Sequence, residues 1–133
     1  MNMESRDKLK QKGLKRLINS FGYALDGLKY AFKYEQNLTV HFLATILVII
    51  FGVFFKLSFI EWLVVLLIIG LVIATELINT SIEAVVDLIS PEKHPLAKIA
   101  KDTAAAAVMI FAITAVIIGL IIFIPKIMNL LIQ

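Results

Sequence analysis

The sequence predicts an all-α integral membrane protein, with three transmembrane helices and an N-terminal amphipathic surface helix, on three observations. Of its 133 residues 60% are apolar and only 17% charged, where an ordinary soluble domain carries about 25% charged residues. Three apolar runs are long enough, with their flanks, to cross a hydrocarbon core of roughly 30 Å. The cations gather on one side of those runs. A chain of this length holds one domain, so any site has to be built from the spans and their flanks. The absence of cysteine excludes disulfides and thiolate metal sites and argues against redox chemistry.

Residues 1–13 are polar, without an apolar period, and read as a solvated tail; they lack the short apolar core of a secretory signal. From Leu14 the apolar residues fall at Leu14, Leu17, Ile18, Phe21, Leu25, Leu28 and Phe32, with Lys15, Arg16, Lys29 and Lys33 among them. That spacing predicts an amphipathic helix over 14–34, lying in the membrane interface with its cations toward anionic headgroups; packing against the bundle is the alternative. The first span is expected at about 39–55, near the lower length limit. A short turn, Lys56 to Ser58, leads to the second at 59–87, where Trp62 sits as an aromatic-belt residue. The third, 102–124, opens on a run of alanines that permits close helix approach, and Pro125 and Lys126 are expected to end it. Residues 14–133 thus form a single membrane domain.

Orientation follows from the cations, which are held in the cytoplasm when close to span ends. Arg6, Lys8, Lys10, Lys12, Lys15, Arg16, Lys29 and Lys33 precede the first span and Lys93, Lys98 and Lys101 follow the second, against Lys56 and Lys126 on the other side. The tail and the loop 88–103 are therefore expected to face the cytoplasm. The net charge of +3 then needs no nucleic acid to explain it.

At the cytoplasmic end of the second span, Glu76, Asn79, Thr80, Glu83 and Asp87 fall on one narrow helical stripe, while Leu77, Ile78, Ile82, Val85 and Val86 cover the other faces. An ionised side chain in a span costs about 2.5–3.5 kcal/mol even on the lenient insertion scale, so such residues usually face an interior and carry function. Asp87 alone reads as the solvated start of a loop. Glu76 with Asn79 and Glu83 does not, because an Asn three residues after a buried Glu is spaced to hold it by hydrogen bond or to join a metal or substrate contact. Glu35, in the segment Glu35-Gln36-Asn37 before the first span, is either a helix-end charge or, with Glu83, one of two carboxylates suited to Mg²⁺, which takes oxygen ligands and completes its shell with water and phosphates. No glycine-rich phosphate loop is present, so a nucleotide has to be bound by side chains. His41 and His94 are too few for a zinc site and read as interface or loop histidines.

The block from Glu76 to Asp87 (ELINTSIEAVVD) resembles the signature of the prokaryotic diacylglycerol kinase family, and Glu35-Gln36-Asn37, the pair Lys101-Asp102 with its alanine-rich sequel and the three-span layout extend the likeness over about 14–126. Within that family the chain is most similar to the undecaprenol kinases of the Gram-positive branch, through Ile60-Glu61-Trp62, the run from His94 to Lys98 and the ending from Gly119 to Lys126. The resemblance implies a homotrimer in the cell membrane that phosphorylates a lipid alcohol with MgATP at the cytoplasmic face. Carried over residue by residue, it implies Glu76 as catalytic base and lipid contact, Asn79 as a supporting active-site residue, and Glu35 and Glu83 as carboxylates for the magnesium that enters with the nucleotide. Arg16, Tyr23, Glu92, Lys93, His94, Lys101 and Asp102 stand at positions resembling nucleotide contacts, and Trp62 and Ala105 at positions resembling lipid contacts.

The expected activity is direct phosphoryl transfer from ATP to undecaprenol, with diacylglycerol as the second candidate. Phosphoryl transfer needs positioning and charge neutralisation more than covalent help, which suits a site of carboxylates and a lysine. A small proton- or ion-conducting subunit is the alternative from another class. It is disfavoured because the carboxylates cluster at one interface with no polar path through the outer halves of the spans. A purely structural assembly factor requires that no stripe residue matter individually.

Overall fold

A computed structural model of the chain describes residues 13–132; the polar tail as far as residue 12 and the last residue lie outside the described residues. Every regular element described is a helix: α1 (Leu14–Tyr34), α2 (Gln36–Phe54), α3 (Phe59–Ile89) and α4 (Pro95–Ile132). The chain divides into two compact units, one holding α1 and the other formed by the residues from Glu35 onward. In the second unit α2, α3 and α4 are each long and apolar enough to cross a membrane, as expected of an integral membrane protein. α3 packs along much of α4 and, over a shorter length, on α2. Most of their outward side chains are large and apolar, among them Leu43, Leu47 and Ile50 on α2 and Ile113, Ile117 and Ile121 on α4, a surface that lipid tolerates and water does not.

The α2–α3 connection is closed by two successive caps. At the end of α2 the Leu57 N–H donates to the Gly52 carbonyl at 3.0 Å and the Lys56 N–H to the Val53 carbonyl at 3.2 Å. This is the Schellman arrangement, which places one residue in the left-handed region; here it is Lys56, at φ 50°. Ser58 then caps α3 in a reciprocal box, its hydroxyl accepting from the Glu61 N–H while the Glu61 carboxylate accepts from the Ser58 N–H at 2.6 Å. Glu61 also pairs with Lys126 Nζ at 3.0 Å. One carboxylate thus ties the start of α3 to the far end of α4.

Gly52 sets how closely α2 meets α3. A Cβ at this position comes within 2.6 Å of the Trp62 indole, and the glycine is buried. Gly52→Ala is expected to cost about 1–3 kcal/mol, the usual penalty of overpacking, read as a lower midpoint of thermal unfolding in detergent. Trp62 is thereby an inter-helix packing residue.

The third span differs from the sequence expectation at both ends. α4 starts at Pro95 rather than near 102, because Pro95 occupies the first helical position, where its missing N–H costs nothing, and His94 caps it: the Leu96 N–H donates to His94 Nδ1 at 3.2 Å. The helix also continues through Pro125 to Ile132. A proline removes one bond, to the carbonyl four residues earlier, and in a strongly apolar stretch the remaining backbone bonds favour continuing the helix over exposing the chain. α2 likewise begins at Gln36 rather than 39, and α3 runs to Ile89 rather than 87.

Candidate active site

The face of α3 that packs against its neighbours buries Val65, Ile68 and Val72 and then, in the same register, Glu76, Asn79 and Thr80. Helical spacing therefore places a carboxyl group where packing alone asks for an aliphatic residue. Glu76 is only 3% exposed. The Thr80 hydroxyl donates to the Glu76 backbone carbonyl at 3.1 Å, so it is satisfied within its own helix, as hydroxyls in spans commonly are.

Asn79 does not hold Glu76, as its spacing suggested. Its Nδ2 donates to Glu83 Oε1 at 3.0 Å, because the i,i+4 partner lies more nearly overhead than the residue three positions back. Glu76 is met instead by a residue from α2: His41 Nε2 lies 3.3 Å from Glu76 Oε1. The approach is close but off the hydrogen-bond axis, and both Glu76 Oε1 and Asn79 Oδ1 are buried without a hydrogen-bond partner among the described residues. Buried polar atoms left this way cost about 1–3 kcal/mol each, so packing alone does not account for them. A small cavity of about 220 Å³ opens on them, lined by Asn37, His41, Glu76, Asn79, Ala105 and Val108 among others.

Glu35 and Glu83 both lie near enough for their charges to act on Glu76. Glu35 occupies the N-cap of α2 in an extended conformation, but its side chain makes no cap hydrogen bond, so the helix does not consume its carboxylate. Along α3, Glu83 stands ~10 Å from Glu76 at the helical rise. Lys101 of α4 feels the charge of Glu83 and pairs with Asp87, Nζ to Oδ1, at 2.6 Å. Asp87, without a role in the sequence, is the lysine's partner. Lys98 and Asp102 form a second ion pair one turn along α4.

Beyond Lys101 a wider pocket of about 590 Å³ lies at the α3–α4 connection, within the usual range for a small-molecule site. Glu92, Lys93, His94, Lys101 and Asp102, all singled out in the sequence, line it together with Asp87. Arg16 and Tyr23 lie on α1, in the other unit. Ala105 lines the inner cavity, whereas Trp62 is ~21 Å from Glu76 along α3 at the helical rise.

A third, apolar cavity of about 300 Å³ starts at His41 and Ala112 and continues past Val48, Val72 and Gly119 to Phe51 and Phe123. Its far end is closed by aromatic rings, the Phe123 centroid lying 6.3 Å from Phe51 and 6.1 Å from Phe55. His41 and Ala112 also line the small cavity at Glu76, so the polar site and the apolar groove share a neck. The sequence left His41 without a role. The available signal was its position four residues after Asn37, which puts both on one face of α2.

A three-span membrane protein with a buried carboxyl group between an apolar groove and a charged pocket has the layout of an enzyme that joins a lipid to a polar reactant. The sequence matches the prokaryotic diacylglycerol kinase family over residues 22–123. It is 45% identical to the undecaprenol kinase of Bacillus subtilis over 124 residues, 93% of this chain and 99% of that protein. It is 41% identical to the diacylglycerol kinase of Synechocystis over 117 residues, 87% of this chain and 67% of that one. With the diacylglycerol kinase of Escherichia coli K12 it shares 35% over 105 residues, 79% and 86% of the two chains. The chain belongs to the prokaryotic diacylglycerol kinase family, and its class of activity is that of a lipid kinase.

Proposed function

We propose that this chain transfers the γ-phosphoryl group of ATP directly to the hydroxyl of undecaprenol, at the cytoplasmic face of the cell membrane. The observation that carries the reading is the position of Glu76, buried in the polar cavity at the neck that this cavity shares with the apolar groove through His41 and Ala112. A lipid alcohol lying in the groove brings its hydroxyl to that neck. Glu76 takes the hydroxyl proton as the lipid oxygen attacks the γ-phosphorus, the bond to the bridging oxygen breaks, and ADP leaves. No phosphoenzyme is needed, and Glu76 acts as the general base, a role that brings it within hydrogen-bond reach of the hydroxyl proton.

The charged pocket suits the nucleotide: Lys101 neutralises phosphate charge, and Glu92, Lys93, His94 and Asp102 line the space for the rest. Among the described residues no group of three or more His, Asp or Glu side chains is arranged to hold a metal. Mg²⁺ commonly takes one or two protein carboxylates with substrate phosphates and water. Glu35 and Glu83 would hold it, and bound there it supplies charge neutralisation for the transferring group. The same reading makes the active unit a homotrimer, with α1 as an amphipathic helix lying in the membrane interface. Ala105 borders the reacting end of the lipid, and Trp62 its distal tail.

One feature favours undecaprenol over diacylglycerol: the Bacillus subtilis relative that matches over almost its full length is named an undecaprenol kinase. Family membership favours the kinase over an ion-conducting subunit. The test offers both lipids in competition to the solubilised protein with radiolabelled ATP. Label is expected mainly in undecaprenyl phosphate; equal or greater label in phosphatidic acid would transfer the assignment to diacylglycerol.

A further inference from the structure

We infer that His41 is a positioning residue for the phosphorylation, its imidazole fixing the orientation of the Glu76 carboxyl group and forming the neck at which the lipid hydroxyl stops. The inference rests on the lipid kinase reading with Glu76 as base. His41 Nε2 is 3.3 Å from Glu76 Oε1, and the two side chains are 23% and 3% exposed. The imidazole is the donor set against that carboxyl group. The Asn79 amide, the nearest polar alternative on α3, donates to Glu83 instead, and α4 presents Val108, Met109 and Ala112 to the cavity.

Glu76 Oε1 is buried and lacks an aligned hydrogen bond, and catalytic hydrogen bonds that are long or bent before substrate arrives commonly tighten in the complex. An Nε2–H donated to Oε1 leaves Oε2 as the oxygen that meets the lipid hydroxyl. A carboxyl group free to rotate presents either oxygen at varying depth, and a misplacement of about 1 Å can cost on the order of 10²-fold in rate. The same ring lines the apolar groove beside Ala44, Thr45 and Val48. It therefore touches the tail on one side and the base on the other, which makes the depth of the lipid and the direction of the carboxyl group depend on one residue.

The test is steady-state kinetics of the full-length protein in detergent with undecaprenol and MgATP, comparing His41→Phe, His41→Ala and His41→Gln. His41→Phe keeps a ring without the donor and is expected to lower kcat/KM for the lipid about 10–100-fold, the usual effect of losing a partner that orients a reactive group. KM for MgATP is expected to stay at the wild-type value. His41→Ala, which only removes atoms, repeats the comparison should the phenyl ring prevent folding. His41→Gln carries an N–H able to reach the same oxygen and is expected to recover most of the loss.

Wild-type activity in His41→Phe and His41→Ala, a His41→Gln variant as impaired as they are, or a loss that appears in KM for MgATP would each overturn the inference. Glu76→Gln, run beside them, separates the two levels. If it is inactive while His41→Phe is normal, only the role of His41 falls. If it is active, the base assignment falls and the role of His41 with it.

Discussion

Glu76→Gln is expected to lower kcat by about 10²–10⁴-fold, the range that a positioned general base contributes, in a protein that remains folded and binds MgATP with unchanged affinity. The substitution is isosteric, so the packing of α3 is undisturbed, and the amide keeps the size and place of the carboxyl group beside His41 Nε2, now 3.3 Å away. On the proposed mechanism, what is lost is the capacity to take the lipid proton. The measurement is kcat at saturating undecaprenol and MgATP, with nucleotide binding and thermal unfolding followed on the same preparation. The variant is expected to unfold at a temperature no lower than wild type, because a carboxyl group 3% exposed in a span carries a desolvation cost that an amide carries to a lesser degree. A group retained at the expense of stability is what a catalytic role predicts. Loss of activity together with loss of folding would assign Glu76 to structure instead.

The architecture was legible because membrane insertion depends on length and hydropathy, which are local properties of sequence. The three long apolar helices follow from that alone. Helix ends were less legible, since they depend on capping geometry: Pro125 reads as a terminator, yet α4 runs through it to Ile132, and His94 caps α4 through a ring nitrogen. The carboxylate stripe could be read because all its members share one helix and a 100° period fixes their common face. Contacts between helices could not. That His41 of α2 meets Glu76 and that Lys101 of α4 meets Asp87 are matters of how far each helix slides along its neighbour, which periodicity does not specify. Asn79 shows the limit within a single helix, where spacing allowed a bond to Glu76 and the side chain took Glu83.

Removing the charge at Glu83 is expected to have a large effect of a different kind. Glu83→Gln should lower kcat/KM for MgATP by about 10²–10³-fold, the scale on which one preorganised electrostatic group acts, with much of the loss in nucleotide KM and part of it recovered by raising free Mg²⁺. Magnesium dependence is the diagnostic readout, because a residue serving only to hold α3 in place leaves it unchanged. Glu35→Gln is expected to shift the same dependence, its carboxylate being uncommitted to the cap of α2. Asn79→Leu removes the donor 3.0 Å from Glu83 Oε1 and should produce a smaller loss of about 10–100-fold in the same parameter, as expected of a partner that orients a ligand. The double variant, Glu83→Gln with Asn79→Leu, should be little worse than Glu83→Gln alone, since the bond that Asn79 makes has no purpose once the charge is gone. Additive losses would mean that Asn79 acts on the substrate directly, through the buried Oδ1 that has no partner among the described residues.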